Sequence, residues 1–416
     1  MNKVLIVSPF FPPFEKVGAV KRVEGFVKNL PENHWSPIVL TMDWGYNDLQ
    51  IQQDKRLYFT RNIAFASWKA YEVADLRAAE SWKSILLKKL IRFVRPIKKY
   101  LLPPDELVLW ALWAVPLSRR VIKSEKPNVI FVTAPPYSSL LTAVILKKMS
   151  GLPLVCDIRD DWIGNPLMEK ESRFLRFIER RMEQWVVRNS DRVVVMTPAS
   201  LDLWRSRYPE DKAKICLIEN GYNEEEFRAI VPHRFQDFAL VHVGSLELNR
   251  SPELVYKALS RIGAKGKRIH FYQYGLALRD FQDMASRYGI EDVVHFEGII
   301  KSDEAIARIK GASMLVLLPT QNAPTAIPGK AYEYLRTGKP ILMISERNSA
   351  TEFMNNFPNV YHVEPDDEQR CIDIIDEIYK RKDTLRTDMK GKGIERYDRR
   401  KLTKELANVF NLLLEK

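Results

Sequence analysis

Short apolar runs alternate with amphipathic stretches along the whole chain. Parallel strands need long crossover connections, which are usually helices, so this alternation predicts parallel sheets with helices on both faces. We therefore predict an α/β protein with two consecutive doubly wound sheets. The predicted strands are Val4–Val7, Ile38–Thr41, Val129–Val132, Leu154–Cys156, Arg192–Met196, Cys216–Ile218, Leu240–Val243, Ile269–Tyr272, Val293–Phe296, Met314–Leu318 and Ile341–Ile344. The predicted helices include Val20–Leu30, Ser138–Met149, Phe174–Arg188, Pro252–Ile262 and Asp303–Ile309.

The regular alternation of predicted strands and helices is interrupted by a turn-rich stretch, Asn220–Phe227, which is followed by Pro232. A chain of 416 residues exceeds the size at which one hydrophobic core stops growing, so two domains are expected. We predict a first domain over 1–222 and a second over 223–395. The remaining segment, 396–416, is predicted to be a helix that packs back on the first domain.

The composition of the chain indicates the cellular compartment and the type of partner. The three cysteines lie far apart without metal-ligand spacing, which favours a reducing cytosol over a disulfide framework. The first residues lack the apolar region of a signal peptide, and no run approaches 18 apolar residues. A formal net charge of +12 favours an anionic partner.

One motif near the end of the second half has the chemistry of an anion site. The stretch from Ile327 to Leu335 predicts a loop and a short helix with Pro328 in its first turn, ending at Gly338. A helix N-terminus beside a strand edge suits a pyrophosphate, and Lys330 adds a cation there. Glu333, one turn later, can accept two hydrogen bonds from a ribose diol. The alternative is an ordinary αβ unit with a solvated lysine and glutamate.

Five further motifs follow in order along the chain. They are Pro9–Pro13 with Gly18–Arg22, Pro135–Ser139, Asp157–Trp162, Ile218–Tyr222, and His242–Leu246 with Arg250. Together with the helix motif, this series resembles the GT-B glycosyltransferases of group 1, family 4, and two of the motifs resemble a subgroup that builds bacterial surface polysaccharides. The resemblance implies two Rossmann-like domains facing each other across a cleft, with the C-terminal helix crossing back to the N-terminal domain. It also implies a nucleoside-diphosphate sugar donor and retention of the anomeric configuration.

The resemblance also implies where the donor binds. The implied donor-binding residues are Gly18, Gly244, Ser245, Arg250, Thr325, Ala326, Ile327, Gly329, Lys330 and Glu333. Two positions depart from the family pattern, since Thr325 replaces a glutamate and Ser245 replaces an arginine. Sugar recognition is then expected to use backbone N–H groups around Ala326, while Arg250 and Lys330 form the cation pair on the diphosphate. Because no Asp-x-Asp pair lies in a metal-binding setting, we predict no cofactor and no metal requirement.

Candidate acid–base residues follow the strand Leu154–Cys156. Asp157 and Asp160 lie where a parallel sheet binds ligands, at the carboxyl end of a strand. The structural alternative pairs Asp157 with Arg159 or makes it a cap, and Asp161 is predicted to be a solvated or capping neighbour. His34 and His242 are predicted to be core or wall imidazoles rather than catalysts.

A basic amphipathic segment over 82–100 bears on the acceptor. Leu86, Leu90 and Val94 share one helical face, and no acidic residue occurs from Lys83 to Lys99. Such a profile is typical of a helix lying on an anionic membrane surface. The predicted membrane-facing residues are Lys88, Lys89, Arg92 and Arg95. The alternative is a solvated helix packed on its own domain, and nucleic acid is disfavoured because aliphatic rather than stacking aromatic residues are interleaved.

These observations favour a glycosyltransferase that uses a UDP- or GDP-sugar and a lipid-linked or polysaccharide acceptor. It is expected in the cytoplasm, at the inner face of the plasma membrane. Two alternatives remain: a nucleotide-sugar epimerase on the same fold, and a non-catalytic adaptor, which the departures at Thr325 and Ser245 would explain.

Overall fold

The computed structural model describes residues 1–12, 20–44, 56–60, 103–164, 172–247, 249–264, 266–321, 323–382 and 393–415. The chain divides into two compact units, one formed by Met1–Glu219 with Thr403–Lys416 and the other by Asn220–Leu402. Gly18 and the predicted basic segment, with Lys88, Lys89, Arg92 and Arg95, lie outside the described residues.

Unit 1 contains a seven-stranded parallel sheet of order β3-β2-β1-β4-β5-β6-β7. Its strands are β1 (Asn2–Val7), β2 (Trp35–Met42), β3 (Leu57–Thr60), β4 (Val129–Ala134), β5 (Leu154–Ile158), β6 (Arg192–Val195) and β7 (Ile215–Leu217). Its helices are α1 (Val20–Asn29), α2 (Val108–Glu125), α3 (Ser138–Ser150), α4 (Arg173–Asn189) and α5 (Pro198–Arg207). Two short 3₁₀ helices, Pro31–Asn33 and Pro209–Lys214, precede β2 and β7.

Unit 2 contains a six-stranded parallel sheet of order β10-β9-β8-β11-β12-β13. Its strands are β8 (Phe238–Val243), β9 (Ile269–Tyr274), β10 (Val294–Gly298), β11 (Met314–Leu317), β12 (Ile341–Ile344) and β13 (Val360–Val363). Its helices are α6 (Glu224–Ala229), α7 (Glu253–Gly263), α8 (Arg279–Arg287), α9 (Ser302–Gly311), α10 (Gly329–Thr337), α11 (Ser349–Met354) and α12 (Glu368–Lys380). A 3₁₀ helix, Ile394–Tyr397, leads into α13 (Arg399–Leu414).

Each sheet has a topological switch point that defines where a ligand can bind. In unit 1 the chain leaves β1 toward β2 on one side, while β4 pairs with β1 on the other. In unit 2 the same reversal lies between β8 and β11. Loops leave the two central strands in opposite directions there, so the crevice at their carboxyl ends is open.

The later part of α13 completes the core of unit 1. Phe410 is fully buried, and its ring contacts those of Trp35 and Phe131 at centroid distances of 5.1 and 5.9 Å. The indole N–H of Trp35 donates to Oδ1 of Asn411 at 2.9 Å. The segment that begins at Thr403 therefore contributes buried side chains to the core of unit 1.

The predicted α/β architecture is confirmed, and all eleven predicted strands are present. The structure adds two that the sequence reading missed, β3 and β13, which are the outermost strands of their sheets. The turn-rich stretch after Asn220 also contains the short helix α6. Among the described residues, no helix has the length and apolar character needed to cross a membrane.

Candidate functional site

The loop after β8 is held close to the neighbouring strand β9. The amide of Gly244 donates to the carbonyl of Tyr274 at 2.8 Å, and the side-chain amide of Gln273 donates to the carbonyl of Gly244 at 2.6 Å. Gly275 has a φ of +134°, and a Cβ there would lie 2.4 Å from the carbonyl oxygen of Gly244. Only glycine permits this approach, so the start of the loop is fixed by the sheet.

Arg250 joins the loop after β8 to the loop after β11. Its Nε donates to Oγ1 of Thr320 at 2.8 Å, and its terminal nitrogen contacts the same oxygen. The backbone amide of Gln321 also donates to the carbonyl of Asn249 at 3.1 Å. The guanidinium is therefore positioned at the carboxyl ends of both central strands.

Helix α10 begins at Gly329 and is anchored to the end of β8. The hydroxyl of Tyr334, which is fully buried, accepts a hydrogen bond from the amide of Val243 at 2.9 Å. Pro328 is the N-cap residue rather than a first-turn residue, and the first turn contains no acidic side chain. Gly338 ends the helix in the left-handed region at φ +71°, as predicted. The anchor sets the helix N-terminus beside the switch point, where its N–H groups attract anions.

Two cations act on one buried imidazole at this point. His242 is 4% exposed, its Nδ1 lies 2.9 Å from the carbonyl oxygen of Val316, and its Nε2 has no partner among the described residues. The pKa of His242 is lowered to about 4, chiefly by burial; the positive charges of Lys330 and Arg250 act in the same direction, and the hydrogen bond to Val316 opposes them. The imidazole is therefore neutral at pH 7, and the two cations predicted to hold a diphosphate lie within electrostatic reach of the same buried ring.

The other predicted donor residues lie around this centre at differing depths. Ile327 is buried, whereas Thr325, Lys330 and Glu333 are partly exposed and Ala326 is exposed. Gly329 is exposed, while Gly244 and Ser245 are partly exposed. Burial raises the pKa of the Tyr334 phenol, and the charge of the adjacent Glu333 raises it further. Every described member of the predicted donor set thus belongs to unit 2 and lies on the β8 loop, the loop before α10, or α10 itself.

In unit 1, Asp157 forms a buried ion pair. Its Oδ1 accepts from Nη2 of Arg22 at 2.8 Å, and its Oδ2 accepts from the hydroxyl of Thr133 at 2.9 Å. Nε of Arg22 lies 3.2 Å from both oxygens, and the two side chains are 4% and 0% exposed. Arg22 also donates to the carbonyls of Ile218 and Glu219. The ion-pair partner is thus Arg22 rather than the Arg159 considered from the sequence, and the base role of Asp157 stays a prediction.

Asp160 differs from Asp157 in access. The side chain of Asp160 is exposed to solvent. Partial burial of its carboxyl group nevertheless raises the pKa of that group, and the positive charge of Arg159 opposes the rise. The guanidinium of Arg159 instead donates to the carbonyls of Ala134 and Pro135. Asp160 is therefore the more accessible of the two predicted bases, and its role also stays a prediction.

The prediction of a solvated or capping Asp161 is wrong. This residue is 5% exposed, and it accepts from the indole of Trp204 at 2.6 Å and the hydroxyl of Ser200 at 3.1 Å. Its carboxylate therefore ties α5 to the end of β5. His34, in contrast, is an exposed turn residue at φ +63°.

Family comparisons agree with this geometry. Residues 18–226 match the family model described as Glycosyltransferase Family 4, and residues 223–396 match the one described as Glycosyl transferases group 1. The chain belongs to glycosyltransferase family 4. A search of the curated proteins found no significant match.

Solved structures show the fold of this family 4 glycosyltransferase. Sucrose-phosphate synthase from Thermosynechococcus elongatus is similar with a TM-score of 0.68 at 14% identity, covering 100% of both chains. A glycosyltransferase from Rickettsia africae gives 0.65 at 13% identity over 100% of this chain and 99% of its own. HepE from Anabaena, solved with UDP and glucose, gives 0.61 at 14% identity over 99% and 100%. The fold is GT-B, with two Rossmann-like units.

Three residues of this glycosyltransferase that hold predicted site residues in place, two in unit 2 and one in unit 1, were not predicted to do so. Thr320 positions Arg250, Tyr334 anchors α10, and Arg22 neutralises Asp157. Each acts through a partner far away in the sequence, which a single sequence does not reveal. Across the part of the chain that the structure describes, no group of three or more His, Cys, Asp or Glu side chains could hold a metal ion.

Proposed function

We propose that this glycosyltransferase takes a sugar from a UDP- or GDP-sugar, retains the anomeric configuration, and needs no metal ion. The observation that carries the proposal is the pair of cations, Arg250 and Lys330, that both act on His242 beside the first turn of α10. A diphosphate is the part of such a donor that this arrangement fits. HepE was solved with UDP-glucose and TarM with UDP, which supports the same class of ligand here.

The chemistry requires the bond between the anomeric carbon and the diphosphate to break while an acceptor hydroxyl arrives. Negative charge accumulates on the departing phosphate. Arg250, already oriented by Thr320, and the N–H groups at the start of α10 are fixed donors for that charge. In a site that excludes water, each such donor is worth about 3 kcal/mol of transition-state stabilisation.

The donor's remaining parts are assigned to neighbouring groups. Glu333 accepts the two ribose hydroxyls, and backbone N–H groups around Ala326 and Ile327 contact the sugar in place of the carboxylate missing at Thr325. On the acceptor side, Asp160 is the favoured base because solvent reaches it, while Asp157 is held by Arg22.

The acceptor proposed for this enzyme is a lipid-linked or polysaccharide glycan of the cell surface. WaaB and WaaG, which are similar in fold, are described as enzymes of lipopolysaccharide synthesis. The basic amphipathic segment over 82–100 supports attachment to the cytoplasmic face of an anionic membrane. Replacing Lys88, Lys89, Arg92 and Arg95 by Gln should release the protein from anionic vesicles in co-sedimentation.

Calorimetric titration with UDP and GDP tests the donor assignment. We expect saturable binding of one nucleotide in the presence of EDTA, and Glu333→Ala should weaken it about tenfold because the ribose loses its acceptor. Glu291→Ala, at an exposed position away from the site, is the matched control. Equal affinity for the wild type and Glu333→Ala would remove the ribose assignment, and a requirement for Mg²⁺ would remove metal independence.

A screen of nucleoside-diphosphate sugars by NMR tests the reaction itself. The preferred donor should be hydrolysed slowly without an acceptor, and the released sugar should first appear with the anomeric configuration it had in the donor. Conversion of the donor to an isomeric nucleotide sugar would indicate an epimerase instead.

A further inference from the structure

Two adjoining cavities are lined by side chains of α4 in unit 1, and the donor site uses neither. The first has a volume of about 500 Å³ and the second about 390 Å³. They share Phe177 and Arg181 in their walls. The charged and aromatic side chains of the first include Arg176, Phe177, Arg180, Arg181, Arg207 and Tyr208.

The rear of the first cavity is rigidly built. Glu183 is fully buried and accepts from Nη1 of Arg207 at 2.8 Å, from the hydroxyl of Tyr208 at 2.5 Å and from the amide of Ile163 at 3.0 Å. Arg207 also donates to the carbonyl of Ile163 at 2.8 Å. These bonds fix Arg207 and Tyr208 in the wall without any ligand.

The same wall contains a buried donor that lacks an acceptor. Trp162 lines the first cavity, is 3% exposed, and its indole N–H has no hydrogen-bond partner among the described residues. Its ring stacks on that of Tyr137 at 4.8 Å, so its position is set by packing. A buried N–H without an acceptor is unfavourable, and a ligand oxygen bonded to it would remove that penalty.

The front of the cavity is positively charged and exposed. Arg180 and Arg181 are both exposed on α4, and neither forms an ion pair with a carboxylate in the part of the chain that the structure describes. Four arginines and one glutamate, Glu179, line the cavity, so its walls carry a net positive charge. Arginine is the side chain best suited to phosphate oxygens because its planar fork donates to two of them at once.

The second cavity has the opposite character. Phe177, Ile178, Met182 and Trp185 form its walls together with the stem of Arg181. Phe177, at the junction of the two cavities, is 59% exposed, and its neighbour Phe174 is 70% exposed. A contiguous exposed apolar patch marks a binding site for a ligand, a protein or a membrane, and Phe174 and Phe177 lie about one helical turn apart.

The geometry points to a binding site for an anionic lipid, with a phosphate or diphosphate head in the arginine-lined cavity and its hydrocarbon chain along the apolar one. The head would receive hydrogen bonds from Arg180, Arg181 and Trp162, and the chain would cover Phe177. This inference deepens the proposed function, since it assigns a place to a lipid-linked acceptor.

Farnesyl diphosphate, which joins such a head to such a chain, is the probe. We would titrate it below its micelle concentration into the full-length protein saturated with UDP, so that the donor site is occupied. Inorganic diphosphate and farnesol serve as head-only and chain-only ligands. We expect farnesyl diphosphate to bind at least tenfold more tightly than either.

Three variants separate the two cavities. Arg180→Gln/Arg181→Gln should weaken farnesyl diphosphate about 30-fold, because each cation near an anionic lipid contributes about fivefold. Trp162→Phe, which keeps the stacking, should weaken it about fivefold through the lost N–H donor. Phe177→Ala should weaken farnesyl diphosphate about tenfold and leave inorganic diphosphate unchanged. Arg188→Gln, an exposed position on the same helix, is the control and should bind within twofold of the wild type.

The outcomes distinguish this inference from the donor assignment. Loss of farnesyl diphosphate binding with unchanged UDP affinity supports the lipid site. Lipid binding without any UDP binding would support the lipid site and refute the proposed UDP-sugar donor. The inference is overturned if Arg180→Gln/Arg181→Gln binds like the wild type, if inorganic diphosphate binds as tightly as the lipid, or if the face instead joins two copies of the chain in sedimentation.

Discussion

The ion pair between Asp157 and Arg22 supports a quantitative prediction about stability. Asp157→Asn removes the negative charge but keeps the shape, leaving a guanidinium that is only 4% exposed without its counter-ion. Breaking a buried pair by neutralising one partner costs about 3–5 kcal/mol. The amide oxygen of Asn can still accept from Arg22 or Thr133, so we expect a loss of about 3 kcal/mol in the free energy of unfolding of unit 1.

The stability of unit 1 can be measured by intrinsic tryptophan fluorescence. All nine tryptophans precede residue 219, so tryptophan fluorescence during urea unfolding reports on unit 1. Arg22→Met/Asp157→Asn should be less destabilised than the sum of the single variants, because both charges are then gone. Asp211→Asn breaks a more exposed pair with Lys214 and should cost at most about 1 kcal/mol.

The result also separates two roles for Asp157. Turnover of the donor sugar by Asp157→Asn, measured where the variant is still folded, should stay within about tenfold of the wild type if the residue is structural. A variant with wild-type stability and no measurable turnover would refute the ion-pair reasoning and identify Asp157 as a base.

Other predictions concern unit 2. Arg250→Gln should weaken UDP binding about 10- to 100-fold in calorimetry, as expected for a lost charge-assisted hydrogen bond, and unchanged affinity would exclude it from the site. Gly275→Ala should destabilise unit 2 by about 2–4 kcal/mol in urea titrations followed by circular dichroism, because its Cβ meets the carbonyl of Gly244; Gly289→Ala, at φ +64° with open space, should cost about 1 kcal/mol. His242, with a pKa of about 4, stays neutral in the folded state while the unfolded chain binds a proton below about pH 6.5. Unit 2 should therefore keep its full stability above pH 6.5 and lose roughly 3 kcal/mol between pH 6.5 and 4, and His242→Gln should remove most of that slope.

Strand positions could be read from the sequence wherever a strand is buried on both faces. Central strands such as β8 and β11 are buried along their whole length and are apolar except for His242, so their pattern is clear. The missed strands β3 and β13 are outermost, and three of the four residues in each are only partly buried. An edge strand needs less apolar surface, so its sequence resembles that of a loop.

The site was predictable where its chemistry is local and not where it depends on distant partners. Lys330 and Glu333 belong to one short motif, and the helix end that follows at Gly338 is a local glycine signal. The buried position of Asp161 depends on Trp204, whose distance in the sequence is 43 residues. Polar residues next to a strand therefore cannot be sorted into solvated and buried ones from spacing alone.

The last turns of α13 have a consequence for biosynthesis. The rings of Trp35 and Phe131 are covered by Phe410, so the hydrophobic interior of unit 1 stays open until residues 403–416 have left the ribosome. Unit 2, by contrast, is complete once Leu402 has emerged. The half that is translated first is therefore completed only after the half that follows it.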